Sequence, residues 1–188
     1  MAARSTMDEL ILRLRGLTNA GTADYSLGTA NFWDDTHLQE VLDRHRVDVM
    51  REAIAPQAKH VGGTVEYHDY YSQFGNLEAT VGGTAIFYME AAAGADIGTV
   101  NYSVDYQNGV VSFPADQKGS VYYLTGRSFD MNGAAADVWS QKASHFTEHY
   151  DFSTDNHSLK RGQVIDNCLK MSSHYAAMAR PKIVTLES

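Results

Sequence analysis

Residues 100–113, "VNYSVDYQNGVVSF", decide the fold class. Val100, Tyr102, Val104 and Tyr106 alternate with polar residues, which is the period of a half-buried strand. Asn108-Gly109 separates this run from a second one, "VVSF", and Asn-Gly between two such runs is the strongest short hairpin signal. The same period extends outward. Val65 and Tyr67 alternate, as do Ala85, Phe87 and Met89, and "SVYYLT" (120–125) reads as a further strand. Eleven aromatics and nine of the 15 glycines fall within 61–125. This composition predicts a small antiparallel sheet with glycine turns. "VGGTVEY" at 61 and "VGGTAIF" at 81 echo each other as two similar turn-to-strand entries; neither has the glycine spacing of a phosphate-binding loop.

Helical spacing flanks this block. Thr6-x-x-Glu9 fits a capping box, and Met7, Leu10, Ile11, Leu14 and Leu17 follow on one face. Residues 18–33 read as a loop. Asp34 or Asp35 caps a second helix with the stripe Leu38, Val41, Leu42, His45, Val49 and Ala53, closed by Pro56. His45 on that stripe reads as a packed, hydrogen-bonded histidine. Helix returns after Gly126: Asp130 caps a segment with Met131, Ala134, Ala135, Val138, Trp139, Lys142 and Phe146 inside. Ser158 opens the last helix, with Ile165, Cys168, Leu169, Ser172, Tyr175, Ala176 and Ala179 on one face, and Pro181 stops it. Cys168 therefore reads as a buried, inert thiol. The expected fold is α+β: a helical bundle from N- and C-terminal helices with an inserted antiparallel β-rich segment. The expected boundaries are 1–60 (helical), 61–125 (acidic, Tyr/Gly-rich β insertion), 126–181 (helical hairpin) and 182–188 (tail).

Composition narrows the function. The 188 residues suit one domain, or one with an insertion. No run approaches the ~20 apolar residues of a membrane span. Arg13 and Arg15 interrupt the opening stretch, so it does not read as a signal peptide. A single cysteine excludes an internal disulfide and fits a reducing cytoplasm. The net charge is −8, and no Lys or Arg occurs from His60 to Gln117. Such a surface repels phosphate, which disfavours nucleic-acid binding through the middle segment.

The catalytic patterns are weak. His145-x-x-Glu148-His149 has the spacing of one class of zinc peptidase. A catalytic zinc needs a third ligand, and the acids downstream (Asp151, Asp155, Asp166, Glu187) fall in a turn, on an outward helix position or in the tail. Adventitious binding of a metal by His145 and His149 is the remaining metal reading. Glu66 and His68 share one strand face, a pairing that can tune a histidine. No G-x-S-x-G elbow or calcium loop is present. No catalytic, cofactor-binding or metal residue is assigned. The acidic, tyrosine-rich segment instead reads as a contact surface, because tyrosine gives large rigid contact area. "KIVTLES" (182–188) has the composition of a strand that can add to another subunit's sheet.

Several stretches carry a family resemblance. "DELILRLRGLTN" (8–19), "FWDDTHLQEVLDRHRVDV" (32–49), "GRSFDMNGAAADVWSQKA" (126–143) and "YDFSTDNHSLKRGQVIDNCLKMSSHYAAMA" (150–179) resemble head–tail connector (adaptor) proteins of long-tailed bacteriophages. The resemblance covers about the first 55 and last 60 residues. Gly162 stands where such proteins usually have Ser before Gln163, and the β segment is longer than their helical core requires. The resemblance implies a dodecameric ring beneath the portal at the virion neck, assembled in the host cytoplasm. It implies a non-enzymatic structural role as a platform for the next neck or tail protein, with DNA passing through the channel unbound. It also implies portal docking by the tail, with Lys182, Ile183, Val184, Thr185 and Leu186 as candidates. Another neck protein (a stopper or tail-completion part) and a small zinc hydrolase using His145, Glu148 and His149 are the alternatives.

Overall fold

The structure is a computed structural model that describes residues 3–21, 26–27, 30–81, 86–147, 152–154, 157–159 and 161–180. The chain is α+β, with helices towards both termini flanking a β-rich segment. A 3-10 turn (Ser5–Met7) leads into α1 (Asp8–Thr18). The short strands β1 (Ser26–Leu27) and β2 (Ala30–Asn31) precede α2 (Asp35–Arg44). Then come β3 (Arg46–Pro56), β4 (Lys59–Val61), β5 (Thr64–Glu66), β6 (Asp69–Tyr71), β7 (Tyr88–Ala91) and β8 (Asp96–Ile97). A 3-10 turn (Thr99–Asn101), β9 (Ser103–Asp105), β10 (Val110–Ser112) and β11 (Tyr122–Phe129) complete the β-rich part. Helix α3 (Met131–Thr147), strands β12 (Phe152–Thr154) and β13 (His157–Leu159), and α4 (Arg161–Met178) follow. None of the described helices is long and apolar enough to cross a membrane.

The chain divides into two compact units. One comprises Met1–Ala3, Ile11–His45 and Asp130–Ser188; the other comprises Arg4–Leu10 and Arg46–Phe129. The β-rich unit thus begins at Arg46 and ends at Phe129, rather than spanning 61–125. It also takes in Arg4–Leu10.

The expected helix through Pro56 stops at Arg44. Asp34 caps its start, accepting the His37 N–H at 2.7 Å, and its stripe Leu38, Val41 and Leu42 is buried. His45 leaves helical geometry, and Arg46–Pro56 is a strand paired antiparallel to β11. The sequence misleads here because of a bulge. Val49 and Ile54 are both buried though five residues apart, a spacing that strict alternation would send to opposite faces. Met50 and Arg51 together oppose Thr125, and Arg51 takes φ +50, so the extra residue restores the phase. The resulting irregular spacing imitates a helical stripe.

The seven-stranded antiparallel sheet has the order β8-β7-β11-β3-β6-β10-β9. Val49, Ile54, Tyr70, Leu77, Phe87, Met89, Val111, Phe113 and Leu124 form its core, with Tyr102, Val104, Tyr106 and Tyr122 packed against it. The alternation seen at 102–106 is therefore core-facing. Val100, by contrast, lies in a 3-10 turn and is 92% exposed. The hairpin at Asn108-Gly109 exists, but its loop runs over residues 106–109 rather than two. Asp105 organises the loop by accepting the N–H groups of Gln107 (3.0 Å) and Asn108 (3.1 Å). Only Gly109 (φ +68) is left-handed there, and a Cβ on it would sit 2.0 Å from the Phe74 carbonyl oxygen. Strands β4 and β5 form a separate two-stranded hairpin turning at Gly62-Gly63, both at positive φ. The matching Gly-Gly pair at 82–83 lies outside the described residues.

In the helical unit, α3 begins at Met131, just after β11, as the Asp130 cap predicts. Asp130 caps it, accepting the N–H groups of Asn132 (3.1 Å) and Gly133 (3.2 Å). Met131, Ala134, Ala135 and Val138 are buried as expected, Trp139 and Phe146 are half-buried, and Ala143 is buried in addition. Gly133 is required by close approach, since a Cβ there would lie 2.5 Å from His45 Nδ1. Lys142, the polar interruption of the stripe, is buried with its Nζ donating to the Asn19 carbonyl at 2.8 Å and lying 5.3 Å from the Trp139 ring centre. Helix α4 starts at Arg161, not Ser158, which lies in β13. Its inner side carries Cys168 and Ser172, whose hydroxyl donates to the Ala136 carbonyl at 2.9 Å, while Leu169 and Ala176 are exposed. Tyr175 donates to the Leu17 carbonyl of α1 at 3.2 Å, so helices from both ends of the chain meet in this unit.

Candidate functional site

Lys182, Ile183, Val184, Thr185 and Leu186 lie outside the described residues, as do Glu148 and His149. His145 sits on the last turn of α3, half-buried, its ring 5.5 Å from that of Phe146. Among the described residues no group of three His, Cys, Asp or Glu side chains is positioned to hold a metal. Cys168 is a buried free thiol, and burial raises its pKa. His45 is packed as expected, its Nε2 2.9 Å from Asp137 Oδ2.

One polar pocket of about 310 Å³ lies at the root of the β4–β5 hairpin, lined by Gln57, Ala58, Lys59, His68 and Asp69. Glu66 and His68 do pair, though not on one strand face, since Glu66 ends β5 and His68 lies in the link to β6: His68 Nε2 is 3.1 Å from Glu66 Oε2, and Nδ1 is 3.2 Å from the Phe113 carbonyl oxygen. Both ring nitrogens face acceptors, so the doubly protonated ring is favoured. The His68 pKa is raised, first by the Glu66 bond and then by the Phe113 carbonyl. Asp116 is held ionised by the N–H groups of Lys118 and Tyr67, which lower its pKa. Asp69 accepts the Ser112 hydroxyl at 2.6 Å. The arrangement favours the protonated form of a half-exposed imidazole.

A second cluster was not legible in the sequence. Glu78 is fully buried. Its Oε1 accepts the Thr6 hydroxyl at 2.6 Å and Arg4 Nε at 3.2 Å, and its Oε2 accepts Arg127 Nη1 at 3.4 Å. The Glu78 N–H donates to the Arg127 carbonyl at 2.8 Å. These bonds fasten Arg4–Leu10 to the sheet. Thr6 thus lies inside the 3-10 turn with its hydroxyl given to Glu78, in place of the capping-box role its spacing suggested. The partners lie 72, 74 and 49 residues apart, and no local pattern announces such a pairing.

The contact-surface expectation is corrected in part. Tyr70 is in the sheet core, and Tyr102, Tyr106 and Tyr122 pack against it, because period two turns them inward. Tyr71 and Tyr88 are exposed, together with Met50, Val61, Val65 and Val100. Both strands of the β4–β5 hairpin are exposed apart from half-buried Glu66.

No family model matches the chain, and no curated protein or solved structure matches it.

Proposed function

We propose that the chain is a structural head–tail connector (adaptor) subunit of a long-tailed phage, forming a ring under the portal at the virion neck. The observation that carries this reading is the origin of the helices. The stretches that resemble connector proteins, 8–19, 32–49, 126–143 and 150–179, hold α1, α2, most of α3 and α4, with most of the sheet unit inserted between the second and third in sequence. The net charge of −8 suits a channel wall along which DNA slides without sticking. In this reading the ring is dodecameric, the tail after Pro181 docks to the portal, and the exposed surfaces meet sibling copies and the next neck or tail protein. No catalytic step and no cofactor belong to it.

Purified protein mixed with portal tests the reading by light scattering after size exclusion. A ring-sized species that co-elutes with portal is expected, and a chain lacking residues 182–188 should keep its fold but lose portal docking. A protein that stays monomeric and ignores portal contradicts the reading. Docking that survives truncation removes the tail's role.

A further inference from the structure

Two features of the sheet unit lack a purpose within one copy. The first is the β4–β5 hairpin. A lone two-stranded hairpin is marginally stable in water, yet this one buries almost nothing on its own chain. Lys59, His60, Val61, Thr64 and Val65 are all exposed, and Val61 and Val65 are each 42% exposed. The second is the sheet edge at β8. Glu90 and Asp96 stand directly opposite each other across β7 and β8, and like charges in that position destabilise a sheet. Arg51 Nε lies 3.5 Å from Glu90, which offsets one of the two. Asp96 is exposed at the end of the strand order, and the outer backbone groups of β8 face away from the sheet.

We infer that the β4–β5 hairpin is an assembly arm: β4 of one copy adds to the β8 edge of the next, with Lys59 beside Asp96. The occupant is a second copy because of charge. The stretch from His60 to Gln117 has no Lys or Arg, and Arg51 of the same copy is engaged at Glu90, so the exposed Asp96 suits a cation brought by another copy. The hairpin brings Lys59 and His60 together on its first strand. Glu66, which stands opposite Lys59, is engaged by His68 and leaves the lysine available. Adding β4 to β8 would flank the two facing carboxylates, Asp96 and Glu90, with a cation on each side, Lys59 and Arg51. It would also pair two sets of open backbone groups and cover the exposed valines. The contact uses different surfaces on the two copies, so it is heterologous and closes only as a ring. The inference rests on the ring reading above and names the contact that builds the ring.

The test is a charge swap in the full chain, read by native mass spectrometry and light scattering at low salt. Lys59→Glu and Asp96→Lys should each raise the concentration needed for half-assembly by at least about tenfold. The double variant should return it to within about threefold of wild type. Asp96→Lys should raise the melting temperature of the monomer slightly by relieving Glu90, whereas Lys59→Glu sets a second carboxylate opposite Glu66 and should lower it slightly, so assembly is compared well below both melts. Wild-type rings matched by both single variants, or a double variant that fails to recover, overturn this contact and leave the ring reading standing. A wild type that remains monomeric with portal overturns both.

Discussion

Replacing Glu78 with alanine removes the acceptor shared by Thr6, Arg4 and Arg127. The three donors contribute unequally. Thr6 is buried and donates at 2.6 Å, so losing this charge-assisted bond and stranding the hydroxyl costs about 1.5–3 kcal/mol. Arg4 and Arg127 side chains are 35% and 38% exposed and regain water when released. Each contributes about 0.5 kcal/mol, as surface ion pairs do. The sum is about 2.5–4 kcal/mol, around the lower limit of the 3–5 kcal/mol for breaking a fully buried pair. For a chain of this length that lowers the melting temperature by roughly 5–16 °C. Glu78→Gln keeps an acceptor for Thr6 and should lose about half as much. Hydrogen exchange provides the local readout: amides in Arg4–Leu10 should exchange faster in the alanine variant, because Glu78 is what fastens that segment to the sheet. A Glu78→Ala protein that melts within about 2 °C of wild type, with unchanged exchange at 4–10, would refute the reasoning.

Other predictions follow from single positions. Gly109→Ala combines φ +68 with a Cβ 2.0 Å from the Phe74 oxygen, so urea melts should show a loss above about 3 kcal/mol; a loss below about 1 kcal/mol contradicts the close approach. The His68 pKa is raised above 6.5 in the fold, so its contribution to stability is complete below pH 6.5 and fades as pH rises through the folded value. His68→Gln should flatten the stability profile over that window, and Glu66→Gln should lower the His68 titration midpoint seen by NMR; an unchanged midpoint would sink the pairing. Cys168, 5% exposed with a raised pKa, should react with a thiol reagent at least about a hundredfold more slowly than in urea-unfolded protein, and equal rates would place it on the surface.

The class of the fold was readable wherever one period held without interruption. Residues 102–113, the α1 stripe and the α3 stripe behave as their spacing says, since each packs one face against a core. The reading failed where the backbone breaks its own period. Val47 to Ile54 looks helical because the bulge at Arg51 inserts one residue into a strand, and a register defect leaves no compositional mark. The loop at Asn108 failed more mildly. Asp105 closes a longer turn with its carboxylate, a choice that Asn-Gly alone does not specify. At the site level, Glu66 with His68 was visible because the partners are two residues apart. Glu78 with Arg4, Thr6 and Arg127 was hidden because its partners come together only when the sheet and the N-terminal segment fold.

Electron-microscope imaging of the purified protein incubated with its portal tests the central claim most directly. Closed rings stacked coaxially on the portal, with one subunit for each portal subunit, are the result predicted. Portal particles left bare beside free monomers would contradict it.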